Sequence, residues 1–414
     1  MQNMKLVNAT NYRSRLLYGN DVKIEPVQPN CGFLPFHTPE IGDEEIQSVV
    51  ETLKSGWLTT GQKVKQFERD FAQYIGCEHA VAVNSGTAAL HLALDAIGIA
   101  QGDEVIVPTM TFTATAEVVL YFNAKPVLVD CEAGTFNIDP RDIEKKITAK
   151  TKAIIPVHMA GQSCNMTAIM EIARRYNLKV IEDAAHALPS RFNGKMIGTI
   201  GDITCFSFYV TKPIATGEGG MAVTDNPEWA ERMRIMSLHG ISKDAWKRYT
   251  NEGSWFYEVH YPGFKYNLTD IAAALGIEQL KKCDRFWAAR KQIAAAYDDG
   301  FASLPEIQRP VCMQDSQHAW HLYIIQLELE RLRVDRGEFI NALKDQGIGT
   351  SVHFIPLHLH PYYRDTFGYK PKDFPSASRV FERIISLPIY PAMSEQSVQR
   401  VIAVVTDVIE KNRR

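Results

Sequence analysis

The sequence predicts an α/β protein: a large domain built on a mostly parallel sheet with helices on both faces, followed by a smaller α+β C-terminal domain. Three observations carry that prediction. Short apolar runs alternate with amphipathic helical stretches from about residue 40 to about residue 275. These runs are apolar at successive positions, as strands buried on both faces of a covered parallel sheet must be. A length of 414 residues exceeds what one small core organises, and past the alternating region the texture changes. The expected division is an N-terminal arm over 1–30, a large domain over 31–275 and a small domain over 276–414.

Residues 1–30 show no clear period and suit a flexible arm or a segment that wraps a neighbouring subunit. Ile46, Val49, Val50 and Leu53 stripe a helix that Gly56 closes; Phe67, Phe71 and Tyr74 stripe a second, closed by Gly76. Strands are expected at 80–83, 104–107, 126–129, 153–157, up to 181, 203–208 and 220–223. Helices are expected at 87–97 and 113–122, and around Ile169, Ile172, Ala173 and Tyr176. In the C-terminal part, 319–327 and 350–355 read as strands. Phe339, Ile340 and Leu343 stripe a helix ended by Gly347, and Val398, Val401, Ile402, Val405 and Ile409 stripe a last one.

Composition narrows the function classes. The net charge of −3 gives no electrostatic reason to expect nucleic acid or an anionic membrane as a partner. No apolar run reaches the roughly 18 residues of a transmembrane helix, and the N-terminus lacks the apolar core of a secretory signal. Seven scattered cysteines without a CxxC pair suit reduced thiols, hence a cytoplasmic setting, better than a disulfide framework.

Ligands of open α/β sheets sit at the carboxyl ends of the strands. Four features fall there. Asn84-Ser85-Gly86-Thr87 leaves a strand and opens a helix, where free N–H groups and the helix dipole suit a phosphate and Gly86 permits close approach. Alone it reads more readily as a plain strand–turn–helix with a Ser/Thr cap. Glu182-Asp183-Ala184-Ala185-His186 places two acids directly after a buried run. A buried carboxylate calls for a cation, and a protonated pyridine nitrogen is one; otherwise Asp183 caps a helix and His186 is a satisfied core histidine. Lys212 follows the apolar 203–208 run, where desolvation would lower its pKa and make the amine nucleophilic toward an aldehyde; otherwise it is a snorkelling surface lysine. Thr216-Gly217-Glu218-Gly219-Gly220 implies a tight turn and fits neither dinucleotide nor Walker patterns.

Phosphate cup, ring-nitrogen acid and lysine, in that order and with 29 residues from Asp183 to Lys212, resemble the layout of pyridoxal-phosphate (PLP) enzymes of fold type I. The runs 182–186, Gly201-Asp202, Phe206-Ser207-Phe208, Thr211-Lys212, 216–220, Gly56-Trp57-Leu58-Thr59-Thr60-Gly61 and Pro262-Gly263-Phe264-Lys265-Tyr266-Asn267 resemble the DegT-type sugar aminotransferase family from about Phe33 onward. Within it the likeness is to members acting on 4-keto UDP-sugars.

The resemblance implies a PLP-dependent aminotransferase, with Lys212 as the Schiff-base lysine and proton shuttle. It implies Asp183 on the pyridinium, Phe112 stacked on the ring, Gly86, Thr87 and Ser207 on the phosphate, and His186 beside the phenolic oxygen. Asn267 would reach the phosphate from a neighbouring subunit, so a homodimer with shared sites is implied. The amino donor would be glutamate and the acceptor a keto sugar nucleotide, UDP- or dTDP-linked. Trp57–Thr60, His158, Arg191 and 246–249 are its expected contacts. Pro213 departs from the family's common polar residue after the lysine, removing a backbone donor there. His353, His358 and His360, with His318 and His321, suggest a lining of the cleft between the domains, or a merely structural role, more than a metal site, because no Cys or acid completes a usual spacing.

Overall fold

A computed structural model describes residues 32–241 and 256–414; the expected arm therefore lies outside the described residues, as do 246–249. Leu34–Arg414 forms one unit. Its first two helices, α1 (Asp43–Ser55) and α2 (Gln62–Ile75), stop where expected, at Gly56 and Gly76 in the left-handed conformation with φ of 75° and 87°. In α2 the predicted stripe is the buried one, with Phe67 and Phe71 at 0% exposure. In α1 it is not. Glu45, Ser48 and Thr52 face inward, and Ile46 and Leu53 are 55% and 51% exposed. The reason is that α1 packs on the main body through polar bonds: Glu45 accepts from Gln279 Nε2 at 2.9 Å and from Lys282 Nζ at 2.7 Å.

The large sheet is built from β1 (His79–Val83), β2 (Glu104–Pro108), β3 (Lys125–Val129), β4 (Thr151–Ile154) and β5 (Lys179–Asp183). After a hairpin, β6 (Arg191–Phe192) and β7 (Lys195–Met196), come β8 (Ile203–Ser207) and β9 (Gly220–Thr224). The order is β1-β9-β8-β5-β4-β2-β3. All its pairings are parallel except those of β9, which runs antiparallel to both β1 and β8. Between strands run α3 (Gly86–Ala96), α4 (Ala114–Leu120), α5 (Pro140–Lys146) and α6 (Met166–Tyr176); α7 (Pro227–Ser237) follows β9. Fully buried strand residues such as Val105, Ile106 and Val107 explain the uninterrupted apolar runs.

Helices α8 (Asp270–Lys281) and α9 (Cys283–Gly300) lead to β10 (Ile307–Gln308), β11 (Ser316–Gln317) and β12 (Tyr323–Leu327). Then come α10 (Arg336–Asp345), α11 (Pro361–Phe367), α12 (Pro375–Phe381), β13 (Ile384–Leu387) and α13 (Glu395–Asn412). A second, antiparallel sheet, β10-β12-β13, shares a core with α9, α10 and α13 that includes Tyr297, Tyr323, Phe339, Leu343, Ile385, Val401 and Val405. The expected strand at 350–355 is absent: only Ser351 bridges to Ser386, because Ser351, His353 and Phe354 turn into a cavity instead of a ladder. The strand that pairs with β12 is β13, a four-residue run beyond the strands predicted above.

Candidate active site

The carboxyl ends of β1, β5 and β8 meet at one edge of the large sheet, and the antiparallel β9 starts at the same edge. Gly220 thus lies beside both Val83 and Ser207. A side chain there would overlap Ser85 O and come within 2.7 Å of Gly86 N, so only glycine lets the turn before α3 pack against β9. Gly86 is confined less severely, its Cβ position being 3.0 Å from Ser207 Cβ. Ser85 caps α3, its Oγ accepting from Ala88 N–H at 3.1 Å. The amides of Gly86 and Thr87, in the first turn, have no intrahelical acceptor and open onto a cavity of about 600 Å³.

That cavity is also lined by Phe112, Asp183, His186, Ser207 and Lys212. Asp183 ends β5 and is 6% exposed. Thr115 Oγ1 donates to its Oδ2 at 2.8 Å, and Ala185 N–H to its Oδ1 at 3.1 Å. Burial still raises the carboxyl pKa above its ordinary value, against these two bonds and the Lys212 charge. Lys212 follows β8 in a turn closed by its N–H on Tyr209 O at 2.8 Å. No ion pair holds its ammonium among the described residues. Burial lowers its pKa from an ordinary 10.5 to about 8, opposed by Asp183.

His186 accepts from Ala160 N–H on Nδ1 at 3.3 Å, so its proton is assigned to Nε2. Its ring packs against His321 at 4.4 Å, and burial pushes its pKa well below the ordinary histidine value. Phe112 is 59% exposed and lies 5.8 Å from Phe354. Both rings also border an adjoining pocket of about 800 Å³ that Tyr121 and Tyr362 line.

Asn267 does not line the cavity. The stretch that looked free to leave its own chain is tied to it: Lys265 bridges to Leu238 and Asn267 to Val83, and the Asn267 amide donates to Thr60 Oγ1 at 2.7 Å. His158, expected in the substrate cleft, is a core residue at 0% exposure, bonded to Glu182 at 2.9 Å. Arg191 is exposed on the β6–β7 hairpin and donates to Gly194 O at 3.2 Å. Trp57 borders a separate pocket beside Asp270. Of the histidine cluster, His321 and His353 reach the cavity; His353 bonds Ser386 Oγ at 2.8 Å, and burial lowers its pKa to about 4. His358 is held in the core by Thr109 and Ser378, and His318 by the Trp320 amide. Among the described residues no group of three His, Cys, Asp or Glu side chains could hold a metal ion. Sequence reasoning missed Thr115; its one signal was the Thr111–Thr115 spacing, which the turn leading into α4 brings to 2.7 Å between hydroxyls.

A family model for the DegT/DnrJ/EryC1/StrS aminotransferases matches residues 39–406. The chain belongs to this family. It is 52% identical over 385 residues to the spore coat polysaccharide biosynthesis protein SpsC of Bacillus subtilis, covering 93% of this chain and 99% of that one. Spr1654 of Streptococcus pneumoniae in its PMP form superposes with a TM-score of 0.86 at 38% identity, covering 91% of this chain and 99% of that one. Helicobacter pylori PseC, an aminotransferase involved in the biosynthesis of pseudoaminic acid, gives 0.85 at 30% identity, covering 92% of this chain and 100% of that one. The protein is thus a PLP-dependent sugar aminotransferase with the type I transferase fold.

The cavity fits that cofactor. Asp183 is a buried carboxylate still short of a cation, which a pyridinium supplies. The first-turn amides of α3, which open onto the cavity and have no partner among the described residues, suit a phosphate. Lys212 offers an amine of lowered basicity between them.

Proposed function

We propose that this enzyme moves an amino group from glutamate to the keto carbon of a 4-keto sugar nucleotide, UDP-linked or dTDP-linked. The observation that carries the reading is the single cavity in which Lys212, Asp183 and the α3 first turn converge beside a second, aromatic-lined pocket. A small keto acid would need no second pocket; a sugar nucleotide extends into one, and exposed tyrosines suit a nucleobase. The likeness to SpsC, a spore coat polysaccharide biosynthesis protein, and to PseC, involved in the biosynthesis of pseudoaminic acid, supports a product destined for a surface polysaccharide. We place the reaction in the cytoplasm and the active unit in a homodimer.

When bound, PLP supplies an electron-withdrawing ring that stabilises negative charge at the carbon bearing the transferred nitrogen. Gly86, Thr87 and Ser207 would hold its phosphate, Phe112 would cover the ring, and Lys212 would be its covalent anchor. Asp183, its oxygens fixed by Thr115 and Ala185, would keep a proton on the ring nitrogen. His186 would present Nε2–H to the phenolic oxygen. The Lys212 Nζ accepts and returns the transferred proton, since an amine that titrates near 8 holds both forms near neutral pH. Asn267 reaches a partner's phosphate cup, which accords with its absence from the cavity of its own chain.

Competition tests the substrate. UDP-linked and dTDP-linked 4-keto sugars, a 3-keto analogue and a keto-cyclitol are supplied at equal concentration with glutamate, and products are read by mass. Fastest consumption of a 4-keto sugar nucleotide is expected. Preference for the 3-keto sugar or the cyclitol overturns the substrate while leaving the aminotransferase in place.

A further inference from the structure

Glu182 and Asp183 are neighbours on β5, so their side chains leave opposite faces of the sheet. Asp183 lines the cavity; Glu182 does not, and is fully buried. Three donors nevertheless converge on its carboxylate. Gly201 N–H and Thr204 Oγ1 each bond Oε1 at 2.8 Å, and His158 Nε2 bonds Oε2 at 2.9 Å. His158 Nδ1 accepts from Cys164 N–H at 3.1 Å, which assigns the ring proton to Nε2 and makes the ring a donor to Glu182.

The main chain of the same segment grips Asp183. Asp183 N–H donates to Pro156 O at 2.9 Å, and His158 N–H donates to Asp183 O at 3.1 Å. Two residues on, Ala160 N–H holds His186 Nδ1. One short segment therefore fixes both groups that face the cofactor ring; it is held by Met159 N–H on Asn137 Oδ1, by Leu322 N–H on Ala160 O, and, behind Asp183 itself, by the side-chain bond from His158 to Glu182.

We propose that His158 and Glu182 are positioning residues: a buried brace between residues 156–160 and the end of β5 that sets the Asp183 carboxylate against the ring nitrogen. The inference rests on the assignment of Asp183 to that nitrogen. Its physical ground is tolerance. A carboxylate that must meet one ring atom has to be held to about 0.5 Å, and the ladder of β5 ends at Asp183 itself. A fully bonded acid behind it supplies the stiffness that an apolar side chain would not.

Glu182→Gln tests the brace. The amide keeps the size, but whichever way it turns a donor meets at least one of the three donors. PLP affinity is measured by titrating the apoprotein, kcat and KM with the preferred keto sugar nucleotide of the panel above, and melting temperature with and without PLP. By analogy with residues that orient metal ligands, PLP affinity and kcat should each fall on the order of 10–100-fold, with KM for the sugar within about twofold. In an Asp183→Asn background the same change should alter PLP affinity by less than about twofold, since the two act as a unit. Thr204→Val removes one donor at constant shape; it should show the same pattern more weakly, and it decides the matter if Glu182→Gln does not fold. Normal PLP affinity and kcat with melting lowered equally in the presence and absence of PLP, or additive losses in the double variant, overturn the brace. If Asp183→Asn alone leaves turnover and PLP affinity intact, the Asp183 assignment fails, and the brace with it.

Discussion

At the residue scale, the site places an amine and an acid where burial disturbs both. Lys212→Ala removes anchor and proton carrier together, and turnover should fall by at least the ~10²–10⁴-fold of a positioned acid–base group, while the circular dichroism spectrum stays that of the parent. Full turnover by a folded variant would refute its assignment. The pH dependence follows from the amine alone. Burial disfavours the ammonium, so the free amine gains population as pH rises through about 8 instead of an ordinary 10.5. The rate at which apoprotein captures PLP should therefore climb up to about pH 8 and then level. A rate still climbing steeply beyond pH 9 would mean that the lysine is solvated. Asp183→Asn keeps the shape and loses the charge, and kcat should drop by orders of magnitude even at saturating PLP. Restoration by excess PLP would make Asp183 a binding group only.

At the element scale, the proposed phosphate cup depends on how closely α3 approaches β9. Gly220→Ala forces a methyl into Ser85 and Gly86, an overpacking that costs about 1–3 kcal/mol and displaces the first turn of α3. PLP affinity should fall more than melting temperature predicts, which titration and calorimetry together would show. Unchanged affinity would mean that the turn does not bind the phosphate. Helix α1 makes a different point. Its apolar stripe faces outward, with Ile46 and Leu53 about half exposed, which suits contact with a second subunit. Ile46→Asp with Leu53→Asp should leave the fold intact and shift the mass in dilute solution toward monomer by light scattering. A persistent dimer would place the interface elsewhere.

At the scale of the whole molecule, the proposed dimer makes each site composite. Mixing Asn267→Ala chains with Lys212→Ala chains should give hybrid dimers in which one site carries neither change and the other carries both. Activity should then exceed that of either parent, toward about a quarter of the unsubstituted enzyme after random exchange (a half of the dimers being hybrids, each with one intact site). Hybrids no more active than the parents would confine Asn267 to its own chain. The backbone of 265–267 is tethered to β1 and Leu238, and the Asn267 amide donates to Thr60 Oγ1, which leaves its second amide N–H for such a contact.

Much of this was written locally. The strand positions of the large sheet, the helix stops at Gly56 and Gly76, and the order of cup, acid and lysine depend on burial and φ requirements that each residue type declares for itself. The family followed from those same motifs. What only the tertiary structure decided is which face each element turns inward and which distant groups meet. The α1 stripe reads as core until Gln279 and Lys282 are seen to bind Glu45 on its polar side. The 350–355 run reads as a strand until it lines the cavity and β13 occupies the sheet. His158 reads as a cleft residue, and its bond to Glu182 spans 24 residues of sequence across neighbouring strand ends. Periodicity records that a side chain is apolar or polar; its partner is chosen by long-range packing, which no local pattern encodes.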